Sequence, residues 1–254
     1  MKIERMAPLC VVAAGICWGI IGLFTRQLSA YGLSPLQITF GRSLVTAVVM
    51  TGLILCRYPE RLRIAWRDAW MFLGTGLGSI VFFNICYFTA IELTTLSVAA
   101  ILLYTAPSIV MVFSIFLFHE RFTRRKGLCV SLAFAGCDLD SGRGLGHVEA
   151  AGILAGLGSG FGYALYSVFG HYALAKYEPL TVTVWTFIIA SLGLLPFCHF
   201  GMMASLAISV PYTGLLFALL GLMSTALPFG LYTTGLQHME AGRASILASV
   251  EPLT

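Results

Sequence analysis

The sequence predicts an all-α, polytopic membrane helical bundle, built from two inverted five-helix repeats of which the second is incomplete. Three observations carry this reading. Hydrophobic residues make up 58% of the 254-residue chain and charged residues only 10%, against roughly a half and a quarter in soluble domains. The charges are bunched, leaving apolar stretches of about 20 residues, each able to cross a hydrocarbon core of about 30 Å at about 1.5 Å rise per residue. A segment in the middle of the chain also recurs 145 residues later.

Spans are expected at about 8–28, 36–56, 69–90, 95–118, 127–141, 150–172, 179–200 and 211–236, with part of a ninth from about 243. The first follows Met1 to Arg5 and could be mistaken for a secretory signal, but no small-residue cleavage site follows and further spans do. The turn Tyr31-Gly32-Leu33-Ser34-Pro35 opens the second, and the Arg-rich stretch from Arg57 to Asp68 separates it from the third. Glu92 marks a short outer loop before the fourth, which ends at the charged run His119 to Lys126. The fifth closes at Asp138 and Asp140, read as solvated, before Ser141-Gly142-Arg143-Gly144; Tyr177-Glu178-Pro179 parts the sixth from the seventh. Apolar residues do not alternate with period two, and the spans are about twice as long as barrel strands, which excludes an outer-membrane barrel.

The distribution of Lys and Arg gives an orientation, because positive segments resist translocation. With the N-terminus cytoplasmic, twelve of the fifteen basic residues fall in inner segments, only Arg26 and Arg143 fall in outer ones, and Arg42 lies within a span. The chain is therefore expected to be a multi-pass protein of the plasma (inner) membrane. Its net charge of +4 then reflects the positive-inside bias against a lipid bilayer, with no nucleic-acid partner required. Seven cysteines without a Cys-x-x-Cys pair and five histidines without ligand spacing imply no metal and no cofactor. Gly142-x-Gly144-x-Gly146 is no dinucleotide fingerprint. The chain also lacks His-x4-Asp, Asp-x-x-x-Asp and Gly-x-Ser-x-Gly, so it does not read as an enzyme.

The recurrence is specific. "YFTAIELTTLSVAAILLYTAP" (87–107) lies without a gap over "YTTGLQHMEAGRASILASVEP" (232–252), pairing Tyr87 with Tyr232 and Pro107 with Pro252. Upstream, "GICWGI" (15–20) lies over "GSGFGY" (158–163) at an offset of 143. Two units follow, 8–141 and 150–254. Five spans in each would make the second enter the membrane from the opposite side, the inverted arrangement of many secondary transporters.

Cys17-Trp18-Gly19 in the first helix, Arg42 in "FGRSL", "AAILLYTAPSIVMVFSIFLFHER" in the fourth and "ASILASVEPLT" in the ninth resemble the drug/metabolite transporter superfamily, in particular its EamA family. The resemblance implies a ten-helix carrier of amino acids and other small metabolites, with both termini cytoplasmic. Measured on the first repeat, about 35 to 40 residues would follow Pro252, so the sequence is expected to be a C-terminally truncated member. The alternative is a short protein completed by another chain.

Charges inside spans are the first candidates for a substrate site, since each costs roughly 2.5–3.5 kcal/mol at a helix centre. Glu251 would lie near mid-depth beside Pro252, as a proton acceptor, a contact for a substrate amine, or a buried group at a helix kink. Arg42 would bind a carboxylate, or else snorkel to the outer surface or pair structurally. Trp18, Asn84, Tyr87, Tyr104, Tyr163, Tyr166 and Tyr232 are the polar and aromatic groups available to a central cavity, with about half expected to face it and Asn84 and Tyr104 the deepest. Gly152, Gly156 and Gly160, Gly15 with Gly19, and Gly74 with Gly78 mark close helix contacts within the bundle, or alternatively a homodimer face or a hinge. Pro107, Pro196 and Pro228 are expected kinks. The function predicted is alternating-access transport of amino acids, amines or drug-like solutes, exporting and proton-coupled, against a nucleotide-sugar or phosphate-ester carrier or a non-transporting receptor or assembly subunit.

Overall fold

The computed structural model describes residues 2–118 and 149–251, in which the regular structure is helical. In order these helices are α1 (Met6–Ser29), α2 (Pro35–Arg57), α3 (Trp66–Leu93), α4 (Leu96–Phe118), α5 (Ala150–Leu174), α6 (Pro179–Phe197), α7 (Phe200–Ser209), α8 (Pro211–Gln237) and α9 (Ala241–Ala248). All except α7 and α9 are long and apolar enough to cross a membrane, which gives seven candidate spans among the described residues. The expected span at 127–141, with Asp138 and Asp140, lies outside the described residues, as do Glu120, Arg121 and Pro252. The sequence reading ran the 179 span on to residue 200. The structure ends that helix at Phe197, where Pro196 sits in a tight 3-10 turn, and starts the separate short helix α7 at Phe200.

Polarity is inverted relative to a soluble protein. Leu9, Phe116, Leu154 and Ile208 point outward, Ile208 being 81% exposed, whereas Thr46, Thr75, Ser159, Thr186 and Thr213 are fully enclosed. Lipid tails are as apolar as leucine, so burying leucine between helices gains little; close packing and hydrogen bonding hold them instead. The Thr46 hydroxyl shows how, lying 2.8 Å from the Arg42 carbonyl of its own helix and 2.9 Å from the Gly221 carbonyl of α8. Most packing crosses between the halves of the chain: α1 lies on α8, α3 on α5 and α2 on α6.

The entry into α2 is fixed locally. Gly32 takes φ +81°, a left-handed turn that side chains disfavour. Ser34 then forms a capping box, its backbone N–H donating to Gln37 Oε1 at 2.8 Å and its Oγ accepting from the Gln37 N–H at 3.3 Å.

Several helices are irregular where they approach the centre. A π-helical stretch occupies Gly74–Val81 in α3 and another Leu222–Ala226 in α8. In α4 the helix stops at Leu103 and restarts at Ala106, where Pro107 lacks the N–H that would reach back to Leu103. α9 stops at Ala248, before a turn at Ser249 and Val250. Leu96–Leu103 and Ala241–Ala248 are thus the same helix bounds displaced by 145 residues.

Glycines seat the interrupted helices. A Cβ on Gly160 of α5 would lie 2.5 Å from Thr105 Oγ1 and 2.9 Å from the Leu102 carbonyl oxygen, and one on Gly15 of α1 would lie 2.6 Å from Val250 Cγ1 and 3.1 Å from the Ala248 carbonyl oxygen. Each glycine therefore contacts the interrupted helix of the other half. The sequence alignment set Gly15 over Gly158, whereas the glycine in the matching contact is Gly160, two residues on. Gly152 and Gly156 likewise meet Leu93 and Leu102, so this glycine row packs inside the bundle.

Candidate functional site

A cavity of about 600 Å³ opens between the helices. Ser29 at the end of α1, Pro35 at the start of α2 and Leu96 at the start of α4 line its mouth; Ser79 and Ile80 of α3, Ser167 of α5 and Phe229 of α8 lie deeper. All eight residues singled out as a substrate site line this one cavity: Trp18, Arg42, Asn84, Tyr87, Tyr104, Tyr163, Tyr232 and Glu251, with Tyr166 beside them. The sequence reading placed only about half of the aromatic and amide group there.

Trp18, on α1, is nearly buried. Its indole meets Phe229 edge-on at 5.1 Å, Tyr232 at 5.4 Å and Tyr163 at 6.4 Å between centroids, within the range of favourable aromatic pairs. These rings join α1, α5 and α8 into one wall. The Tyr232 and Ser167 hydroxyls lie 2.8 Å apart. On the other side, Tyr87 stacks on Phe83 at 5.7 Å and Phe83 meets Tyr163 at 5.9 Å. Asn84 is held at both ends: its amide donates to the Ile80 carbonyl at 2.7 Å and its oxygen accepts from the Thr39 hydroxyl at 3.1 Å. That tie joins α2 to α3 where the π-helical stretch ends.

The two charged candidates share this space. Arg42, seven residues into α2, is 8% exposed and lines the cavity. Glu251 lies just past the end of α9. Tyr87 and Tyr163 line the same cavity. Tyr104 stands at the interruption of α4 beside Tyr163 and Glu251. Glu92, by contrast, is exposed near the end of α3.

Arg26, an outer-segment charge by sequence, lines the cavity along with Thr39, Phe83 and Phe229, which the sequence does not single out. A signal was present. Trp18, Gly22, Thr25 and Ser29 fall at helical spacing and all line the cavity, so a face drawn through Trp18 carries Arg26 at its edge.

Among the described residues, the buried Trp18 indole N–H and Tyr166 hydroxyl have no hydrogen-bond partner, and no cluster of three His, Cys, Asp or Glu side chains could hold a metal ion. The arrangement is chemically suited to hold a solute bearing charges of both signs against aromatic walls.

Comparison with known proteins gives a consistent picture. The sequence signature of EamA, the EamA-like transporter family, matches residues 5–139 and again 150–254. An uncharacterized transporter of Archaeoglobus fulgidus is 31% identical over 98% of this chain and 84% of its own length. The uncharacterized inner membrane transporter YicL of Salmonella typhimurium is 26% identical, covered over 86% of its length. The threonine/homoserine exporter RhtA of Escherichia coli is 30% identical over 89% of this chain and 71% of its own length. One solved crystal structure superposes with a TM-score of 0.78 over 98% of this chain and 85% of that one, at 20% identity, a likeness of fold.

Proposed function

The chain belongs to the EamA-like transporter family, and from that premise we propose that it exports small metabolites carrying an amine and a carboxylate, amino acids foremost, by alternating access. A transporter in a multi-pass membrane bundle implies a small-molecule substrate; the class of substrate is the finer step. The observation that carries it is the sharing of one tyrosine-lined cavity by Arg42 and Glu251. An arginine offers a fork of N–H donors matched to a carboxylate, and a carboxylate among tyrosine rings suits an ammonium group. Glu251 also serves as the proton carrier, exchanging a proton for the amine as the cavity changes sides. The similarity to a threonine/homoserine exporter supports both the substrate class and the direction.

The coinciding helix bounds at an offset of 145, the paired glycine contacts and the double family match support two repeats related by inversion, rocking about the cavity between them. Basic residues around 57–67 and at Lys176 support a cytoplasmic N-terminus in the inner membrane, with the cavity mouth facing outward.

The test is counterflow of labelled threonine into proteoliposomes holding the chain, with Arg42→Gln and Glu251→Gln beside it. Uptake is expected from the parent, at least tenfold less from each variant, and a pH dependence lost in Glu251→Gln. Absence of threonine or any competing amino acid from the counterflow would overturn the reading. A second reading, a phosphate-ester carrier, is favoured by Arg26 lining the same cavity as Arg42; competition by a sugar phosphate but not by threonine would select it.

A further inference from the structure

At the end of the bundle away from the cavity mouth, the chain between α2 and α3 is fastened to the junction of α5 and α6. Lys176 Nζ donates to Asp68 Oδ1 at 2.6 Å, and the Tyr177 hydroxyl donates to Asp68 Oδ2 at 2.8 Å while accepting the Ala65 N–H at 3.0 Å. Arg61 pairs with Glu178 at 2.7 Å. The Thr181 hydroxyl donates to the Arg61 carbonyl at 2.9 Å and the Trp185 indole N–H to the Leu62 carbonyl at 3.1 Å. Six polar contacts thus run from residues 176–185 onto residues 61–68, and none of their side chains lines the cavity.

Below them the closure continues inward. The Phe72 ring meets Tyr177 at 5.3 Å and Trp185 at 6.4 Å. The Thr75 and Thr186 hydroxyls lie 2.7 Å apart, fully buried. At Gly76 the backbone of α3 comes so near α6 that a Cβ would lie 2.7 Å from Ile189 Cγ2. The cavity is open at one end of the bundle, and at the other the polar tie covers the close packing of α3 against α6.

We infer that Asp68, held by Lys176 and Tyr177, is a latch that keeps this end shut while the cavity is open at its mouth, and that it must release for the solute to enter from the closed end. The inference rests on the transporter reading of the cavity. Asp68 suits the role because its carboxylate accepts from two different residues of the opposing segment, one of them charged, while Lys176 remains half exposed. Exposed ion pairs are weak and reversible; a carboxylate held by both a cation and a hydroxyl is a stronger tie that water can still reach. Tyr177 adds geometry, since its single oxygen joins Asp68 and the Ala65 backbone at once.

The test reads accessibility and not transport, so its failure is separate from failure of the substrate reading. With the native cysteines replaced, Thr75→Cys reports on this close packing, challenged by a membrane-impermeant maleimide at the face carrying residues 58–68. Gly22→Cys, where a Cβ meets nothing within 4 Å and the cavity is open, reports from the mouth that the fold is intact. Thr75→Cys is expected to be protected in the parent and labelled roughly tenfold faster with Asp68→Asn or with Tyr177→Phe, as loss of a hydrogen bond to a charged group implies. Tyr177→Phe removes one oxygen and keeps the ring against Phe72, which covers the case in which Asp68→Asn does not fold. The exchange Asp68→Lys with Lys176→Asp, which restores the ion pair but not the Tyr177 bond, is expected to recover part of the protection that either change alone removes. Equal labelling of Thr75→Cys in parent and folded variants, or an exchanged pair as open as the single changes, would overturn the latch.

Discussion

Arg42 of α2 and Glu251 beyond α9 come from opposite halves of the chain, yet they line one cavity. Opposite charges brought together in a low-dielectric interior tolerate each other better than either tolerates being alone. The two side chains thus set charges of both signs on the wall of one cavity.

The pair should show coupling. Arg42→Gln and Glu251→Gln are each expected to lower the thermal midpoint in detergent, with the double variant closer to the parent than the two losses added. The coupling energy should be on the order of 1–3 kcal/mol. Strictly additive losses would show that the charges do not sense each other.

The aromatic wall should hold α1, α5 and α8 together. Trp18→Ala is expected to destabilise the protein by about 3–5 kcal/mol, the range for removing a large buried ring, since its indole meets Tyr163, Phe229 and Tyr232. Tyr232→Phe, which removes only the 2.8 Å contact with Ser167, should cost about 1 kcal/mol. Denaturation of both variants checks the ratio.

Close approach at the interrupted helices predicts opposite signs for two glycine substitutions. Gly160→Ala places a methyl group 2.9 Å from the Leu102 carbonyl oxygen and should destabilise by about 1–3 kcal/mol, as overpacking does. Gly52→Ala, in α2 with nothing within 4 Å, should stabilise by up to about 1 kcal/mol through helix propensity. Thermal unfolding in one detergent decides both.

Asn84 bridges the Thr39 hydroxyl and the Ile80 carbonyl. Asn84→Leu fills similar volume but leaves two buried polar groups without that partner, and is expected to cost about 1–3 kcal/mol. Hydrogen exchange of the backbone around Ile80 should accelerate in the same variant.

The distance between reading the chain and seeing it folded differs by element. Spans such as 36–56 and 95–118 were legible to within a few residues because apolar length is the whole requirement for crossing lipid. The break at residue 197 and the helix α7 were not. Phe200–Ser209 is apolar and no charge separates it from α6, so hydropathy alone runs the two together. The interruption of α4 was half legible: Pro107 announced a kink, but the interruption sits at Tyr104 and Thr105, where Gly160 comes against the backbone from another helix. Arg26 was read as an outer-segment charge because counting positive residues by loop ignores which face of a helix end they occupy.

What the sequence determined by itself is that this chain crosses the membrane many times as helices, and that its charged residues, 10% of the chain, are bunched between the spans. Both follow from hydrocarbon, which accepts only helices or closed barrels and charges heavily for every ionised group. Tertiary structure alone decided that Arg42 faces inward, that Glu251 lines the same cavity, that Trp18 and Tyr232 form one wall, and that Asp68 meets Lys176 and Tyr177 at the closed end. These contacts join residues far apart in the chain. A helix fixes which side chains share its face, but which face meets which neighbour is set by packing, here by glycines such as Gly160 that let one backbone rest on another.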